Sequence, residues 1–331
     1  MKNNTVLILG AGASVDYGFP TGLDLSKEIA ISGNYSDFMK EVLTFCPTRS
    51  KHKYIRGFNL IDKNFFRSRS LSIDSWLAKE ENLECVDAAK LLIAHVIGIR
   101  EQSDFSPSRS GFLHMQYRSK NPKSDWYQLL FNALSTNKFE DFPSSSDKLT
   151  VATFNYDRSL EFYFLKAMQG MYRERSEGDC WEKLSLINIK HVYGSVGDLP
   201  IANAEHGVEY GSQFIEDYMN RIKNLNLIPE FRNKTNETIS FIQGKLKEAQ
   251  NIFFVGFSYD RMNLELLGFP FQSNQSHVVD FSGSVYKMED GEIQKAQEIT
   301  RISTMSGSTA KLNPVDADAY NFFRKIITKT F

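Results

Sequence analysis

The feature that most constrains the fold is a short apolar run, Val6-Leu7-Ile8-Leu9, that stops on Gly10-Ala11-Gly12-Ala13-Ser14. An unbroken aliphatic run of this length suits a central parallel strand covered on both faces. Glycine lacks Cβ, so it permits a tight turn and lets backbone N–H groups approach a phosphate, while a helix start behind it adds partial positive charge. The expectation is a nucleotide-binding α/β fold whose first strand is this one. A secretory leader fits the same residues poorly, because only Lys2 carries positive charge ahead of the run and two glycines interrupt it.

Four further apolar runs are expected as strands of the same sheet, over 149–154, 186–193, 252–255 and 278–281. They lead into Asn155-Tyr156-Asp157, Gly194-Ser195, Gly256 and Ser282-Gly283-Ser284. An open parallel sheet places its ligand at the carboxyl ends of the strands, so these turns are the candidate site. Residues 33–147 read as a mostly helical insertion, with amphipathic segments at 73–83, 86–99 and 126–134 and Ser/Pro/Arg-rich breaks near 102–110 and 141–147. A helix over 158–168, a variable second insertion over 197–248 and a closing helix over 317–327 complete the plan. The expected architecture is a single α/β domain, a Rossmann-like parallel sheet with helices on both faces.

Charge narrows the partners. Lys and Arg total 39 against 40 Asp and Glu, which leaves no global attraction to nucleic acid or an anionic membrane. No stretch approaches the ~18 uninterrupted apolar residues of a membrane span. Cys46, Cys85 and Cys180 are too few for a four-thiolate zinc site and odd in number for a disulfide framework, so a cytoplasmic setting is expected. Histidines at 52, 95, 114, 191, 206 and 277 lack metal-ligand spacing, and no metal is expected. The basic residues Arg49, Lys51, Lys53 and Arg56, with Arg67 and Arg69 beyond, read as a solvated face.

The glycine string is not the dehydrogenase fingerprint, since Val15 occupies the third glycine position and no acidic residue closes a second strand ~20 residues later. Instead, Gly10-Ala11-Gly12-x-Ser14-Val15-x-x-Gly18-x-Pro20 resembles the N-terminal motif of the sirtuins, and Thr153-x-Asn155-x-Asp157 resembles their T-x-N-x-D motif. Gly256-Phe257-Ser258, followed by Asp260, Asn263 and Leu266-Leu267, is similar to the sirtuin-like NAD-hydrolase branch of bacterial anti-phage defence proteins. The resemblance covers about 5–30, 149–168, 186–196 and 251–285. Within the insertion it is carried only by Ser72-Ile73-Asp74-Ser75-Trp76-Leu77.

The resemblance implies NAD as substrate. Gly10, Ala11, Gly12, Ser14, Gly18, Pro20 and Ser258 would serve its phosphates and ribose, with Thr153, Tyr193, Gly194, Ser195, Gly256, Phe257, Asp260 and Ser282 completing the binding set. Asn155 and Asp157 would lie at the nicotinamide ribose. Cleavage of the glycosidic bond passes through an oxocarbenium-like state, which requires an oriented water and stabilised positive charge on the sugar. Asn155 can fix a hydroxyl and a water, and Asp157 can anchor the loop or balance charge. Taken alone, the same pair equally fits an Asx turn capping the helix that follows.

The base is where the sequence departs from the family. Sirtuins carry His-Gly after the third strand, whereas Tyr193 precedes Gly194 here and His191 lies two residues earlier. The two side chains share a strand face, roughly 7 Å apart. The ordinary pKa of His191, near ~6.5, suits a general base; Tyr193 suits hydrogen bonding to ribose; and a satisfied strand histidine is the plain alternative. Pro20 is followed by Thr21-Gly22-Leu23, and the zinc module of the deacylases has no counterpart, so water is the expected acceptor. The implied function is a NAD glycohydrolase that depletes NAD in defence. Such an activity must be silent in a healthy cell, so regulation by homo-oligomerisation or by a second defence-system protein that senses infection is expected. The alternatives are a catalytically silent NAD-binding sensor acting through a partner, and a protein deacylase.

Overall fold

Thr5–Leu9 (β1) is buried along its whole length because it is an inner strand of a sheet. It pairs in parallel with Leu149–Thr153 (β2) on one side and Asn251–Val255 (β4) on the other, with Asn188–His191 (β3) beyond β2. The small strand Phe271–Gln272 (β5) stands apart, and Asp280–Ser284 (β6) extends the sheet past β4. Ile302–Ser303 (β7) and Thr309–Ala310 (β8) join β5 in a separate three-stranded sheet, and Asn313–Val315 (β9) pairs with β6. The main sheet therefore runs β3-β2-β1-β4-β6-β9, parallel throughout. This computed structural model describes residues 3–30, 35–70, 72–104, 124–143, 148–227, 230 and 236–330.

The chain leaves β1 toward β2 and β3 and later returns to the other side of β1 for β4 and β6. Right-handed crossovers then send the connecting helices to opposite faces of the sheet. Glu237–Glu248 packs on β2 and β3, while Ala319–Thr330 packs on β4, β6 and helix Trp126–Leu134. The α/β architecture is as expected. Several strands differ from the sequence reading: β3 is confined to Asn188–His191 within the expected 186–193, and β5, β7 and β8 were not expected. β6 extends through residues of low strand propensity, Ser282-Gly283-Ser284, where pairing with β4 and β9 holds them in the sheet, and Gly283 fits there because a Cβ would lie 2.0 Å from Tyr259 Oη. β9 was not foreseen, being three residues with a proline at the sheet edge.

Helices dominate the described part of the insertion. Ser36–Phe45, Thr48–Leu60, Val86–Asp104 and Trp126–Leu134 form, but the helix expected over 73–83 stops at Leu77 and continues as the 3-10 segment Glu80–Cys85. Residues 105–110 and 144–147 of the expected breaks, His114, and 228–229 and 231–235 of the second insertion lie outside the described residues. Lys53 pairs with Asp87 and Arg56 with Glu84, so part of the basic face is locally neutralised. The three cysteines are buried and free. Among the described residues no helix is long and apolar enough to cross a membrane.

Candidate functional site

Sheet register brings the candidate turns together. Leu9 pairs with both Thr153 and Val255, and Thr153 pairs with His191, so four strands end level at the point where the strand order reverses beside β1. Beyond Leu9 the chain forms two 3-10 turns, Ala11–Ala13 and Val15–Tyr17, closed by Gly18 at φ 93°. The first α-helix begins only at Gly22, where the Thr21 hydroxyl accepts the Asp24 amide at 3.2 Å.

The glycines act here by closeness rather than by offering donors. The amides of Gly10 and Gly12 donate to the carbonyls of Val255 (3.0 Å) and Gly256 (2.9 Å), and those of Ala13 and Ser14 donate to Gly10 and Ala11 (2.9 and 3.1 Å). A Cβ on Gly10 would lie 2.5 Å from the Gly256 carbonyl oxygen, and one on Gly256 would lie 2.2 Å from Ala13 N. The amides of Gly10 and Gly12 are therefore already engaged and are not the donors of this turn to a ligand. Those amides close the two loops on each other.

Asn155 and Ser14 meet across the top of the sheet. Asn155 is 7 % exposed; its amide nitrogen donates to Ser14 Oγ at 2.8 Å, and its Oδ1 has no hydrogen-bond partner among the described residues. Asp157 accepts the Ser159 amide (3.2 Å) and the Ser159 hydroxyl in the turn that leads into helix Ser159–Met171. Burial raises its pKa. Tyr127, supplied by the insertion, sits with Oη 2.7 Å from Ser159 Oγ and 3.5 Å from Ser14 Oγ. A polar chain therefore runs Asn155, Ser14, Tyr127, Ser159, Asp157. Trp126 Nε1 fastens the same helix to the Ala13 carbonyl at 2.8 Å, and Tyr17 stacks on Tyr127 at 3.7 Å. Periodicity marked 126–134 as helical, yet nothing local could show that its first two residues close the site.

His191 is fully engaged. Nδ1 lies 2.8 Å from the Asn155 carbonyl oxygen and Nε2 lies 2.6 Å from Glu161 Oε1. Both partners are acceptors, so the ring donates at both positions as an imidazolium. Burial by itself would lower its pKa, but the Glu161 carboxylate and its hydrogen bond prevail and raise it. Burial likewise opposes ionisation of Glu161, and His191 overcomes that to leave the carboxyl below its usual range. Glu161 escaped sequence reasoning because it sits on the helix after β2, where an acidic residue in the first turn needs no special explanation.

The other predicted residues spread around this centre. Thr153 Oγ1 accepts the Asn155 amide at 3.1 Å. Tyr193 donates its hydroxyl to Asn263 Oδ1, and its carbonyl accepts the Asn226 amide at 2.8 Å. Gly194 has φ 70°, and a Cβ there would lie 1.6 Å from the Asn224 carbonyl oxygen, which ties the end of β3 to the second insertion. The Ser195 hydroxyl donates to the Gly197 carbonyl at 3.2 Å. Phe257 is buried edge-on against Phe154; Ser258 and Asp260 are exposed, and Asp260 caps Arg261–Leu266 by accepting the Met262 and Asn263 amides. Ser282 belongs inside β6 with its hydroxyl on Asp280, and it is Ser284, at the strand end, that accepts the Gly256 amide at 2.8 Å.

No protein-family model matches the chain, and no curated protein matches it. Among the described residues, no three His, Cys, Asp or Glu side chains converge as a group that could hold a metal ion. What the site offers chemically is a buried amide oxygen awaiting a donor, a buried carboxylate behind it, and an imidazolium–carboxylate pair that grips the backbone of the same loop.

Proposed function

We propose that the chain is a NAD glycohydrolase of the sirtuin-like type, converting NAD and water to nicotinamide and ADP-ribose. One observation carries this reading: Asn155 Oδ1 is buried at the strand ends with no hydrogen-bond partner among the described residues. An unpaired buried acceptor costs about 1–3 kcal/mol, so a donor from outside the protein is favoured there, and a water or a ribose hydroxyl supplies one. In the reaction the ribose–nicotinamide bond breaks with its electron pair going to nicotinamide, which departs neutral. Water then adds to the cationic sugar carbon and loses a proton. Asn155 orients the water or a ribose hydroxyl, and the Asp157 carboxylate favours the developing positive charge. His191 acts as a positioning residue, since it donates to the Asn155 carbonyl and has no lone pair to accept a proton while paired with Glu161. The turns at Gly10–Ser14 and Gly256–Ser258 border the space for the phosphates.

The sequence resemblance extends this reading to NAD depletion in anti-phage defence, within the cytoplasm, switched on by self-assembly or by a second protein that detects infection. A concentration series that follows nicotinamide and ADP-ribose release, with Asn155→Ala alongside, tests it. Release that rises with assembly and falls at least ~10²-fold in the variant is expected. A second reading rests on Tyr193, which stands where the family carries its histidine, and on His191, whose two nitrogens are both occupied: a sensor that binds NAD without cleaving it. Tight NAD binding with no release, at any protein concentration, would favour that reading.

A further inference from the structure

The hydrolase reading leaves one proton without an acceptor. Four carboxylates come from the strand-end turns or interact with them, besides Glu230, which is paired with Lys90. Asp157 is buried and holds Ser159, Glu161 is paired with His191, and Asp260 caps a helix. The fourth, Asp74, comes from the insertion and is only partly buried. Its one described side-chain partner is the hydroxyl of Tyr156, the residue after Asn155, which reaches both carboxylate oxygens at 3.1 and 3.2 Å. That hydroxyl has a single proton to share, so lone pairs on Asp74 remain open.

Asp74 is also held firmly. Ser72 caps the short helix Ile73–Leu77 by accepting the Ser75 amide, and the Ile73 amide donates to Ser26 on helix Gly22–Ala30 at 3.0 Å. Tyr193 and Asp260 are near enough to interact electrostatically with the Asp74 carboxylate. The Tyr156 and Tyr193 rings, 6.3 Å apart, bridge the ends of β2 and β3 beside it. Resting on the hydrolase reading, we propose that Asp74 is the catalytic base, taking the proton of the attacking water as the water oxygen bonds to the ribose carbon and nicotinamide leaves with the bonding electrons. The proton then passes from Asp74 to solvent. Burial raises the pKa of Asp74 to about 6, against the pull of the Tyr156 hydrogen bond and with Asp260 adding repulsion, which suits a base near neutral pH. The titratable groups facing it are Tyr156, Tyr193 and Asp260, with Glu230 acting on Tyr156.

The test is steady-state nicotinamide release between pH 5 and 9 by the full chain and by Asp74→Asn, Asp74→Glu and Tyr156→Phe, with NAD affinity by calorimetry and a melting curve for each. The expected result is a kcat ~10²–10⁴ lower in Asp74→Asn at unchanged NAD affinity, loss of the acid limb of the rate profile, and partial recovery in Asp74→Glu. Tyr156→Phe should shift the acid limb upward, since it loses a hydrogen bond that favours the carboxylate. A wild-type chain that cleaves NAD while Asp74→Asn keeps its kcat, or loses only affinity, overturns the base but not the hydrolase. Wild-type chain that binds NAD and never cleaves it overturns both.

Discussion

The side-chain amide of Asn155 donates to the hydroxyl of Ser14 at 2.8 Å and leaves its own carbonyl oxygen buried without a partner among the described residues. This contact joins the turn after β2 to the turn after β1. Removing it takes away one hydrogen bond, worth about 1 kcal/mol, together with an acceptor that is already unsatisfied. Asn155→Ala is therefore expected to melt within ~3 °C of wild type, measured by calorimetry. A drop of ten degrees would mean that the amide is structural rather than reserved for a ligand.

His191 and Glu161 form a partly shielded pair whose stabilising effect depends on pH. The folded-state pKa of Glu161 is lowered, so its contribution is present above its unfolded pKa of ~4.3 and disappears as pH falls through the folded value. His191 is raised, so its contribution is complete below ~6.5 and disappears as pH rises through the folded value. The stability gap between wild type and Glu161→Gln should thus be widest near pH 5–6 and shrink toward pH 9. Denaturation midpoints across that range read it directly, and a gap that stays constant would refute an ionic pair.

Gly256 and Gly22 predict opposite behaviour. Gly256 has φ 58° and no room for a Cβ against Gly12 and Ala13, whereas a Cβ at Gly22 meets nothing within 4 Å. Gly256→Ala should cost at least ~2 kcal/mol through backbone strain and overpacking. Gly22→Ala, in the first turn of its helix, should be neutral or stabilising by up to ~1 kcal/mol. Urea midpoints of the two variants make the comparison; equal loss would contradict the tight seam between the two loops.

Glu101 lies fully buried between Arg158 and Arg221. It accepts Arg158 Nε and an Arg158 terminal nitrogen at 2.9 and 2.8 Å and an Arg221 terminal nitrogen at 3.1 Å. Neutralising it strands two buried guanidinium groups, and Glu101→Gln should lose about 3–5 kcal/mol. Arg221→Met should cost less, because Glu101 keeps its two bonds to Arg158 and the partnerless Arg221 Nε is removed. Chemical denaturation of both variants decides the order.

Much of this fold was legible because its signals are local. Thr5–Leu9, Leu149–Thr153 and Asn251–Val255 are apolar runs in which each residue is covered on both faces, and composition announces that directly. The turns after them carry glycine or asparagine, which mark strand ends without regard to partners. Helix Trp126–Leu134 also matched its amphipathic pattern residue for residue. β9 gave no such signal, because three residues with a proline are too short to show a period.

The site divides along the same line. Sequence by itself marked Gly10, Asn155, Gly194 and Gly256 as the turns that follow strands, since glycine and asparagine break an apolar run, and the register of the sheet brought them level. Tertiary structure alone decided what each side chain is free to do. It engaged both nitrogens of His191, closed the Gly10 and Gly12 amides on Val255 and Gly256, and left Asn155 Oδ1 open. It also brought Tyr127 and Asp74 from the insertion against Ser14 and Tyr156. Hydrogen bonds between distant segments are set by how helices pack on the sheet, and no pattern of neighbours along the chain encodes them.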